Sequence, residues 1–597
     1  FDEWLDSDND GIGNNADPDD DNDKVDDIND FFPLDATRWA KTVLDLSSLK
    51  GNNGFKINGI NIDDFSGVSV SSVDVNGDFV PDLIIGASGG NGDNSLGTDQ
   101  KPDPGETYVV FGQSNFTWPA SLELSSLDGT NGFIIKGNRA NDRSGISVSG
   151  LGDINGDGKT DFIIGAAEAD TDKGTTLYAN KEAGKAYVIY GKLDWTATPV
   201  LNLAPKTFPI DPANPALSLG FTINGVNAGD LTGNSVKNAG DINNDGVSDI
   251  IIGARGKISA ATPGYSYVVF GRTAAWPDSF DLSSLAADTT AANGFVINGI
   301  DSGDFSGWAV SGAGDVNGDS YDDIIIGSRD ATAAGVSKAG ETYVIFGRVN
   351  GATWAPSFNL SSLTAAGANG STGFVIQGIS VGDQSGSSVS SAGDINNDGV
   401  VDIIIGAQKS DPNGVTTAGE SYVVFGKMLG ANVNWPTPVI KLSTFAAGAG
   451  AEGFIIQGIA SNDQNGIAVS NLGDVNGDQI DDFITSASLA NVATFTDAGE
   501  SYIIFGKANW GPILDLSTLS SASADGSLGF VARGISMSDN SGIAVSTVGD
   551  FNGDGITDFA IGASKADANG QSSSGETYVI FGCNYFTATN LCITNLP

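Results

Sequence analysis

Seven acidic loops share the nine-residue pattern Asp-x-Asn-(Gly/Asn)-Asp-x-x-x-Asp. The first, third, fifth and ninth residues carry side-chain oxygens, and the seventh can offer its backbone carbonyl. Hard oxygen donors at this spacing suit calcium, and the pattern contains no soft ligand that would select zinc or copper. The spacing therefore predicts about seven Ca²⁺ ions, one in each loop.

The predicted calcium ligands occupy the same five positions in every loop. They are Asp74, Asn76, Asp78, Val80 and Asp82; Asp153, Asn155, Asp157, Lys159 and Asp161; Asp241, Asn243, Asp245, Val247 and Asp249; Asp315, Asn317, Asp319, Tyr321 and Asp323; Asp394, Asn396, Asp398, Val400 and Asp402; Asp474, Asn476, Asp478, Ile480 and Asp482; and Asp550, Asn552, Asp554, Ile556 and Asp558. Three carboxylates in one tight turn repel each other, so we expect the ions to stabilise the fold.

An acidic N-terminal segment contains two longer loops of twelve residues. Oxygen donors at positions 1, 3, 5, 7, 9 and 12 predict about two further Ca²⁺ ions there. Lys24 stands at the turn position that Gly11 occupies in the first loop, so the second loop fits less well. Without calcium the segment would be a disordered acidic linker. The predicted ligands are Asp6, Asp8, Asp10, Ile12, Asp17, Asp19, Asp21, Asp23, Val25, Asp27 and Asp30.

Each of the seven loops lies at the same place in a longer repeat. The unit has a Trp, a Leu-x-Leu run, a Gly-Phe strand, a Ser-Gly-x-x-Val strand, the loop, an Ile-Ile-Gly-Ala strand and a Tyr-Val-Val-Phe-Gly strand. Short apolar runs bounded by Gly are typical of strands, and successive loops start 74 to 88 residues apart. The repeat predicts an all-β fold, a seven-bladed β-propeller of four-stranded blades.

The repeats resemble FG-GAP repeats, which form the seven-bladed head of integrin alpha subunits. Phe-Gly at 111–112 and Ile-Gly-Ala at 85–87 carry the two halves of that signature, whereas Thr485-Ser486 and Tyr190-Gly191 depart from it. The N-terminal segment resembles the thrombospondin type 3 repeats that are often found in bacterial surface proteins. These resemblances imply a calcium-binding segment at 1–38, a propeller at 39–582 and a tail at 583–597.

The order of the pieces predicts how the ring closes. An N-terminal strand at 53–59 should complete the last blade beside 576–582, because both edges would otherwise remain open. Cys583 and Cys592 are the only cysteines and lie just beyond this seam. We expect a short disulfide loop in an oxidising compartment, with two buried thiols as the alternative.

A Trp at a fixed offset in every unit has two interpretations. The residues are Trp39, Trp118, Trp195, Trp276, Trp354, Trp435 and Trp510. Packing between blades is the favoured interpretation, and a ring of sugar-stacking platforms is the alternative. Trp308 falls outside this series, where other units have Val, Ile, Asn or Ser, and is expected to line the channel or a face.

The composition excludes several classes of function. A formal net charge of -45 argues against nucleic acid or an anionic membrane as a partner, and no apolar run is long enough to insert into a bilayer. The absence of His removes the usual general base, and the sequence contains no catalytic constellation, so we expect no enzymatic activity. Because the chain begins at Phe1 instead of Met, we expect that a preceding segment has been removed.

The sequence therefore predicts an extracellular or cell-surface adhesion or ligand-binding module of a bacterial surface or secreted protein. Its expected partners are an extracellular protein or glycan, or copies of itself. The connections at 88–104 and 167–183 vary and should lie on a recognition face, the second with Asp170, Asp172, Tyr178, Asn180 and Lys181. The alternative is a self-assembling filament or surface layer; a propeller lectin and an accessory region of a hydrolase are less favoured.

Overall fold

The structure is a computed structural model of the chain. It describes residues 42–89, 104–114, 117–171, 181–203, 219–257, 262–348, 354–365, 368–429, 434–448, 450–521, 524 and 526–583. The N-terminal segment with its predicted ligands from Asp6 to Asp30 lies outside these residues, as do Trp39 and Cys592.

Seven sheets form an all-β, seven-bladed propeller. The inner strands contact those of the neighbouring blades around a central channel. From blade 1 to blade 7 the inner strands are Ser66–Val73, Ser144–Gly152, Thr232–Gly240, Ser306–Gly314, Ser388–Gly393, Val469–Gly473 and Ala544–Gly549. The second strands are Asp82–Ala87, Asp161–Ala166, Asp249–Ala254, Asp323–Ser328, Asp402–Ala407, Asp482–Ala487 and Asp558–Ala563.

The third and outer strands continue each sheet in antiparallel order. The third strands are Glu106–Val110, Lys185–Ile189, Tyr265–Val269, Glu341–Ile345, Glu420–Val424, Glu500–Ile504 and Glu576–Ile580. The outer strands of blades 1 to 6 are Gly132–Lys136, Gly220–Asn224, Gly294–Asn298, Gly373–Gln377, Gly453–Gln457 and Gly529–Arg533, and that of blade 7 is Gly54–Asn58.

The blades have five strands, so the prediction of four-stranded blades was wrong. The fifth strand is the Leu-x-Leu run, which pairs in parallel with the outer strand of the preceding blade; Val200–Asn202, for example, pairs with Ile134–Lys136. A run of three residues is too short for its periodicity to indicate a strand. It also forms its backbone hydrogen bonds with the edge strand of a sheet that belongs to another repeat. From blade 1 to blade 7 the fifth strands are Val200–Asn202, Ser279–Asp281, Ser357–Asn359, Val439–Lys441, Ile513–Asp515, Val43–Asp45 and Ser121–Glu123.

Helical structure in the described residues is limited to short turns. One α-helix spans Ser283–Ala287. The 3-10 turns are Leu46–Ser48, Leu124–Ser126, Leu360–Leu363, Pro412–Gly414, Leu442–Ala447, Leu516–Ser520 and Ala568–Gly570. In the part of the chain that the structure describes, none of these helices has the length and apolar character that crossing a membrane requires.

The two ends of the propeller meet in two ladders. Gly54–Asn58 lies antiparallel to Glu576–Ile580 in blade 7, at the strands from which the sequence predicts the closure. The ammonium of Lys56 and the carboxylate of Glu576 are 2.8 Å apart across this ladder. Val43–Asp45 pairs in parallel with residues 531–533 of blade 6. The first described segment therefore binds two different blades. Cys583 is buried just beyond the seam, and its predicted bond to Cys592 stays a prediction.

The repeated Trp residues pack against the preceding blade. Trp195 stacks on Phe133 with ring centroids 3.9 Å apart, and Trp435 stacks on Phe374 at 4.2 Å. A lysine ammonium lies over each of these two indoles: that of Lys192 is 4.2 Å from the Trp195 ring centroid, and that of Lys427 is 5.3 Å from the Trp435 ring centroid. Trp195 and Trp435 are only 2% and 1% exposed, so both indoles are inaccessible to a stacking sugar. The same Phe–Trp stack occurs at Trp118, Trp276, Trp354 and Trp510.

Glycine in the second strand permits close contact between blades. A Cβ at Gly86 would overlap the carbonyl oxygen of Gly145 in the next inner strand, and the same is true of Gly253 and Gly307. Blade 6 has Ser486 at this position, and its hydroxyl instead donates a hydrogen bond to the carbonyl of Gly542 at 2.6 Å. The repeated Ile-Gly-Ala therefore marks a packing requirement between blades.

Candidate metal-binding loops

Each predicted calcium loop connects an inner strand to a second strand, so all seven lie at the same end of the channel. In blade 1 the carboxylate of Asp74 accepts backbone N–H bonds from Gly77 at 2.7 Å and from Phe79 at 2.8 Å. The Asp78 carboxylate accepts one from Val80 at 2.9 Å. In the other six loops the backbone N–H of the seventh residue likewise donates to the carboxylate of the fifth. This bond holds the seventh residue, whose carbonyl oxygen is a predicted calcium ligand, in the turn.

A left-handed backbone shapes these turns at the fourth and sixth positions. Gly77 has a φ of 73° and Phe79 a φ of 68°. The fourth position is Gly or Asn in every loop, as a left-handed turn requires. The sixth position is Gly in four loops, whereas Phe79, Ser320 and Gln479 adopt the same conformation with a side chain. These three residues carry backbone strain that Gly would remove.

The ninth loop residue is a fully buried aspartate, here called the closing aspartate of its loop. The closing aspartates are Asp82, Asp161, Asp249, Asp323, Asp402, Asp482 and Asp558, and each is 0% exposed. In blade 1 the two carboxylate oxygens of Asp82 accept N–H bonds from Val75 at 2.8 Å and from Gly112 at 3.0 Å. Gly112 belongs to the Phe-Gly that ends the third strand, so this carboxylate joins the loop to the sheet.

Burial raises the pKa of every closing aspartate. The pKa rises to about 8 for Asp161, Asp402 and Asp482. The two backbone N–H groups lower it in part, while the other two loop carboxylates raise it further. Burial raises the pKa of the remaining four closing aspartates as well. A buried carboxylate beside two others is the electrostatic environment that a bound divalent cation would stabilise.

The side-chain oxygens of two loop asparagines test whether the oxygen atoms of the loops fit calcium. The Oδ1 atoms of Asn243 and Asn317 are buried and accept no hydrogen bond from the described part of the chain. In the other five loops this oxygen accepts a backbone N–H; in blade 1 the bond from Asp78 to Asn76 is 2.9 Å long. A buried acceptor without a donor is costly, and a cation would satisfy it. The residues present therefore fit a hard cation.

The side chains are not arranged as a ready-made metal cage. Among the described residues, no group of three or more His, Cys, Asp or Glu side chains has metal-binding geometry. The loop carboxylates are instead directed at backbone N–H groups of their own turn. Calcium binding at the seven loops accordingly stays a prediction.

Five segments of the chain match the FG-GAP repeat family, at residues 66–109, 144–189, 306–345, 385–424 and 541–580. The propeller contains FG-GAP repeats. The matches cover the first three strands of blades 1, 2, 4, 5 and 7 together with their acidic loops.

Two integrin alpha chains are similar to parts of this FG-GAP propeller. Integrin alpha-PS2 of Drosophila melanogaster is 33% identical over 114 residues, which is 19% of this chain and 7% of that protein. Integrin alpha pat-2 of Caenorhabditis elegans is 30% identical over 188 residues, which is 30% of this chain and 14% of that protein. The chain thus spans a small part of the length of either relative.

A second set of buried carboxylates, absent from our sequence predictions, lies at the other end of the inner strands of the FG-GAP propeller. We call them the turn aspartates, because each accepts the backbone N–H of the residue three positions earlier. A recurring Asp-x-(Ser/Thr/Asn)-Gly before each inner strand is the signal that could have revealed them. They are Asp64, Asp142, Asp230, Asp304, Asp383, Asp463 and Asp539.

A Glu–Tyr pair adjoins the turn aspartates in five blades. The hydroxyl of Tyr578 donates to the carboxylate of Glu576 at 2.5 Å. Burial, reinforced by the charge of Glu576, raises the pKa of Asp539 to about 7. Burial also raises the pKa of Asp142, Asp304 and Asp463 to about 6.

The variable connection of blade 2 borders a cavity at this same end of the channel. Its volume is about 500 Å³, and its lining includes Arg139, Asp142, Glu168, Asp170 and Lys181. Asp170 and Lys181 were predicted members of a recognition face, and the structure places both in this cavity. The other three predicted members, Asp172, Tyr178 and Asn180, lie outside the described residues.

Proposed function

We propose that this chain is an extracellular, calcium-stabilised adhesion or ligand-binding module of a bacterial surface or secreted protein. The observation that carries the proposal is the FG-GAP propeller with its resemblance to integrin alpha chains. The function is presentation of a surface, without catalysis. A rigid frame holds the connecting loops in place, so that binding requires little ordering of the protein.

The calcium part of the proposal is supported by the loops themselves. The closing aspartates are fully buried, and the amide oxygens of Asn243 and Asn317 have no hydrogen-bond donor among the described residues. Bound Ca²⁺ would supply positive charge between the carboxylates, and the protein would supply Asp and Asn oxygens with one backbone carbonyl per loop. The seven predicted calcium loops are called the metal loops, and the end of the channel that carries them the metal end. We propose that the ions stabilise the metal end of the propeller and leave the opposite end for the ligand.

The ligand part of the proposal is supported by the end of the channel opposite the metal loops. The blade 2 cavity has both positive and negative side chains, among them Arg139, Asp170 and Lys181. Mixed charges in a concave surface favour a polar extracellular protein or glycan over an apolar ligand. The net charge of -45 disfavours nucleic acid and anionic membranes.

The first experiment is capture of the full chain on a broad panel of glycans and extracellular matrix proteins. We expect capture of a defined ligand in millimolar calcium and its loss after chelation. The paired substitutions Asp170→Asn and Lys181→Gln should weaken capture, whereas the exposed Lys409→Gln in blade 5 should have no effect. Failure to capture any panel member in calcium, with the fold intact by circular dichroism, would contradict the ligand-binding proposal.

Self-assembly is the second candidate function, and the pairing of the N-terminal strands with the last two blades favours it. Val43–Asp45 and Gly54–Asn58 bind blades 6 and 7, although hundreds of residues separate them in sequence from those strands. The same segment could pair with the blades of a second copy, as in an exchanged strand. Light scattering over a concentration series in calcium tests this: mass that grows with concentration supports assembly, and a constant monomer mass excludes it.

A further inference from the structure

A cluster of cations surrounds Trp308 at the start of the inner strand of blade 4. The guanidinium carbon of Arg329 lies 3.1 Å from the indole centroid, and that of Arg255 lies 4.5 Å from it. Arg255 and Arg329 follow the second strands of blades 3 and 4, so both reach the channel end opposite the metal loops. In the other blades the position of Trp308 is occupied by Val68, Ile146, Asn234, Ser387, Ile467 and Ile543.

The guanidinium groups are held in place but incompletely paired. The Nε of Arg255 donates to Asn234 Oδ1 at 2.8 Å, and the Asn234 amide donates to the carbonyl of Trp308 at 3.2 Å. Arg329 Nε is buried without a hydrogen-bond acceptor in the described part of the chain. The carboxylate of Asp330 is 3.7 Å away, but it already accepts bonds from Lys338 and Gln384.

The positive charge of Arg255 also destabilises that of Arg329. Burial and the nearby Arg255 together lower the pKa of Arg329 to about 10, although Asp330 acts in the opposite direction. The side chain of Arg329 is only 17% exposed. Two largely buried cations in contact with one indole form an environment that a further anion would stabilise.

Lys237 adds a third charge on the wall of the channel. It lies three residues beyond Asn234, roughly 10 Å further along the inner strand of blade 3. The other six blades have Ser here, and in blades 1 and 2 that hydroxyl accepts a backbone N–H from the next inner strand. An ammonium cannot accept such a bond. Burial lowers the pKa of Lys237, whose ammonium has no ion-pair partner among the described residues.

We propose that Arg255 and Arg329 bind one carboxylate group of a peptide ligand, with Lys237 increasing the positive potential from within the channel. The planar guanidinium groups match a carboxylate in shape and charge. The surrounding chain has a net charge of -45, which repels a polyanion but admits a ligand with one isolated negative group. This inference rests on the proposed function, because it names the chemistry of the ligand.

The probe is the peptide acetyl-Gly-Glu-Gly-amide, titrated into the full chain in millimolar calcium at constant ionic strength and followed by calorimetry. The matched peptide acetyl-Gly-Gln-Gly-amide lacks only the charge and should bind about tenfold more weakly. The double variant Arg255→Gln/Arg329→Gln should weaken binding of the Glu peptide about tenfold or more. Lys237→Ser, which restores the residue of the other blades, should weaken it about threefold.

The control variant is Lys409→Gln/Lys565→Gln, which removes two exposed cations next to the second strands of blades 5 and 7. It should bind the Glu peptide as the unmodified chain does. Equal binding of the two peptides, or unchanged affinity in the arginine double variant, would overturn the proposal. Tighter, arginine-dependent binding of polygalacturonate would also overturn it, since it would indicate a polyanion site.

Two experimental outcomes distinguish the arginine site from the proposed adhesion function. A panel ligand that is captured in calcium by both the unmodified chain and the arginine double variant would retain the adhesion function and overturn this site. Arginine-dependent binding of the Glu peptide without capture of any panel member would retain the site and contradict the adhesion function.

Discussion

The two ends of the inner strands both bury carboxylates, but the groups that surround these carboxylates differ. At the end opposite the metal loops, side chains pair with two glutamates. The guanidinium of Arg533 lies 2.9 Å from the Glu500 carboxylate, and the Gln377 amide donates to the Glu341 carboxylate at 2.9 Å. At the metal end, the hydrogen bonds that Asp249 accepts from the described residues come from the backbone N–H groups of Ile242 and Gly271. The comparison indicates that side chains of the fold compensate these two glutamates, whereas the closing aspartates are left for an external cation to compensate.

Removal of calcium should have the largest effect, and it should act on the metal end alone. Each loop held at a hundred times its Kd would lose about 2.7 kcal/mol of stabilisation. We expect calorimetry to show a large fall in the unfolding temperature after chelation, restored by calcium and poorly by magnesium. Identical unfolding temperatures with and without calcium would mean that the two ends do not differ as described.

Matched Asp→Asn substitutions at the two ends should respond differently to calcium. Asp249→Asn should destabilise the calcium-loaded protein by about 3 kcal/mol, because it removes a fully buried ligand. After chelation the same change should be neutral or stabilising, since burial raises the pKa of Asp249 and makes its ionised form unfavourable without a cation. Asp304→Asn at the opposite end should have the same effect in both conditions. Chemical denaturation of each variant, with and without calcium, measures the difference; a calcium-independent effect of Asp249→Asn would contradict the comparison.

The turn aspartates should make stability depend on pH in a defined direction. The pKa of Asp539 is raised from 3.8 to about 7 in the folded chain, so between these values the folded state binds more protons than the unfolded state. Its contribution to the free energy of unfolding is therefore full below about pH 4 and falls as the pH rises to about 7.

The Asp539→Asn variant isolates this contribution. The stability of the unmodified chain relative to the variant should fall by about 1–3 kcal/mol between about pH 4 and about pH 7. The measurement is urea denaturation of both proteins at several pH values in saturating calcium. A constant difference, or one that grows with pH, would show that folding does not raise the pKa of Asp539.

The smallest expected effect concerns backbone strain in the metal loops. Phe79 has a φ of 68° and is 96% exposed, so its side chain contributes strain and little packing. Phe79→Gly should stabilise the protein by about 1 kcal/mol in a urea titration, and Gly399→Phe should destabilise it by a similar amount. An unstable Phe79→Gly variant would indicate that the aromatic ring has a role on the surface of the metal end.

Repetition made much of the fold predictable from sequence. Seven copies of the Asp loop and of the strands around it predict the propeller, and the offset of Gly54–Asn58 predicts its place beside the last blade. Contacts that join one repeat to another were harder to predict. The parallel fifth strand, such as Val200–Asn202, forms on the edge of a different blade and has only three residues. The turn aspartates were missed because a lone Asp before Ser-Gly is typical of an ordinary turn.

The sequence by itself determined the number of blades, the position of the acidic loops and the oxygen donors that they contain, because these depend on local spacing that recurs seven times. Only the tertiary structure decided which charges are compensated. Glu500 and Asp249 each begin a strand, but the guanidinium of Arg533 lies beside Glu500, whereas the Asp249 carboxylate lies beside backbone N–H groups. The same holds for Arg255 and Arg329, which meet at Trp308 because neighbouring blades pack side by side. Burial and charge are properties of such packed neighbours, which no single repeat contains.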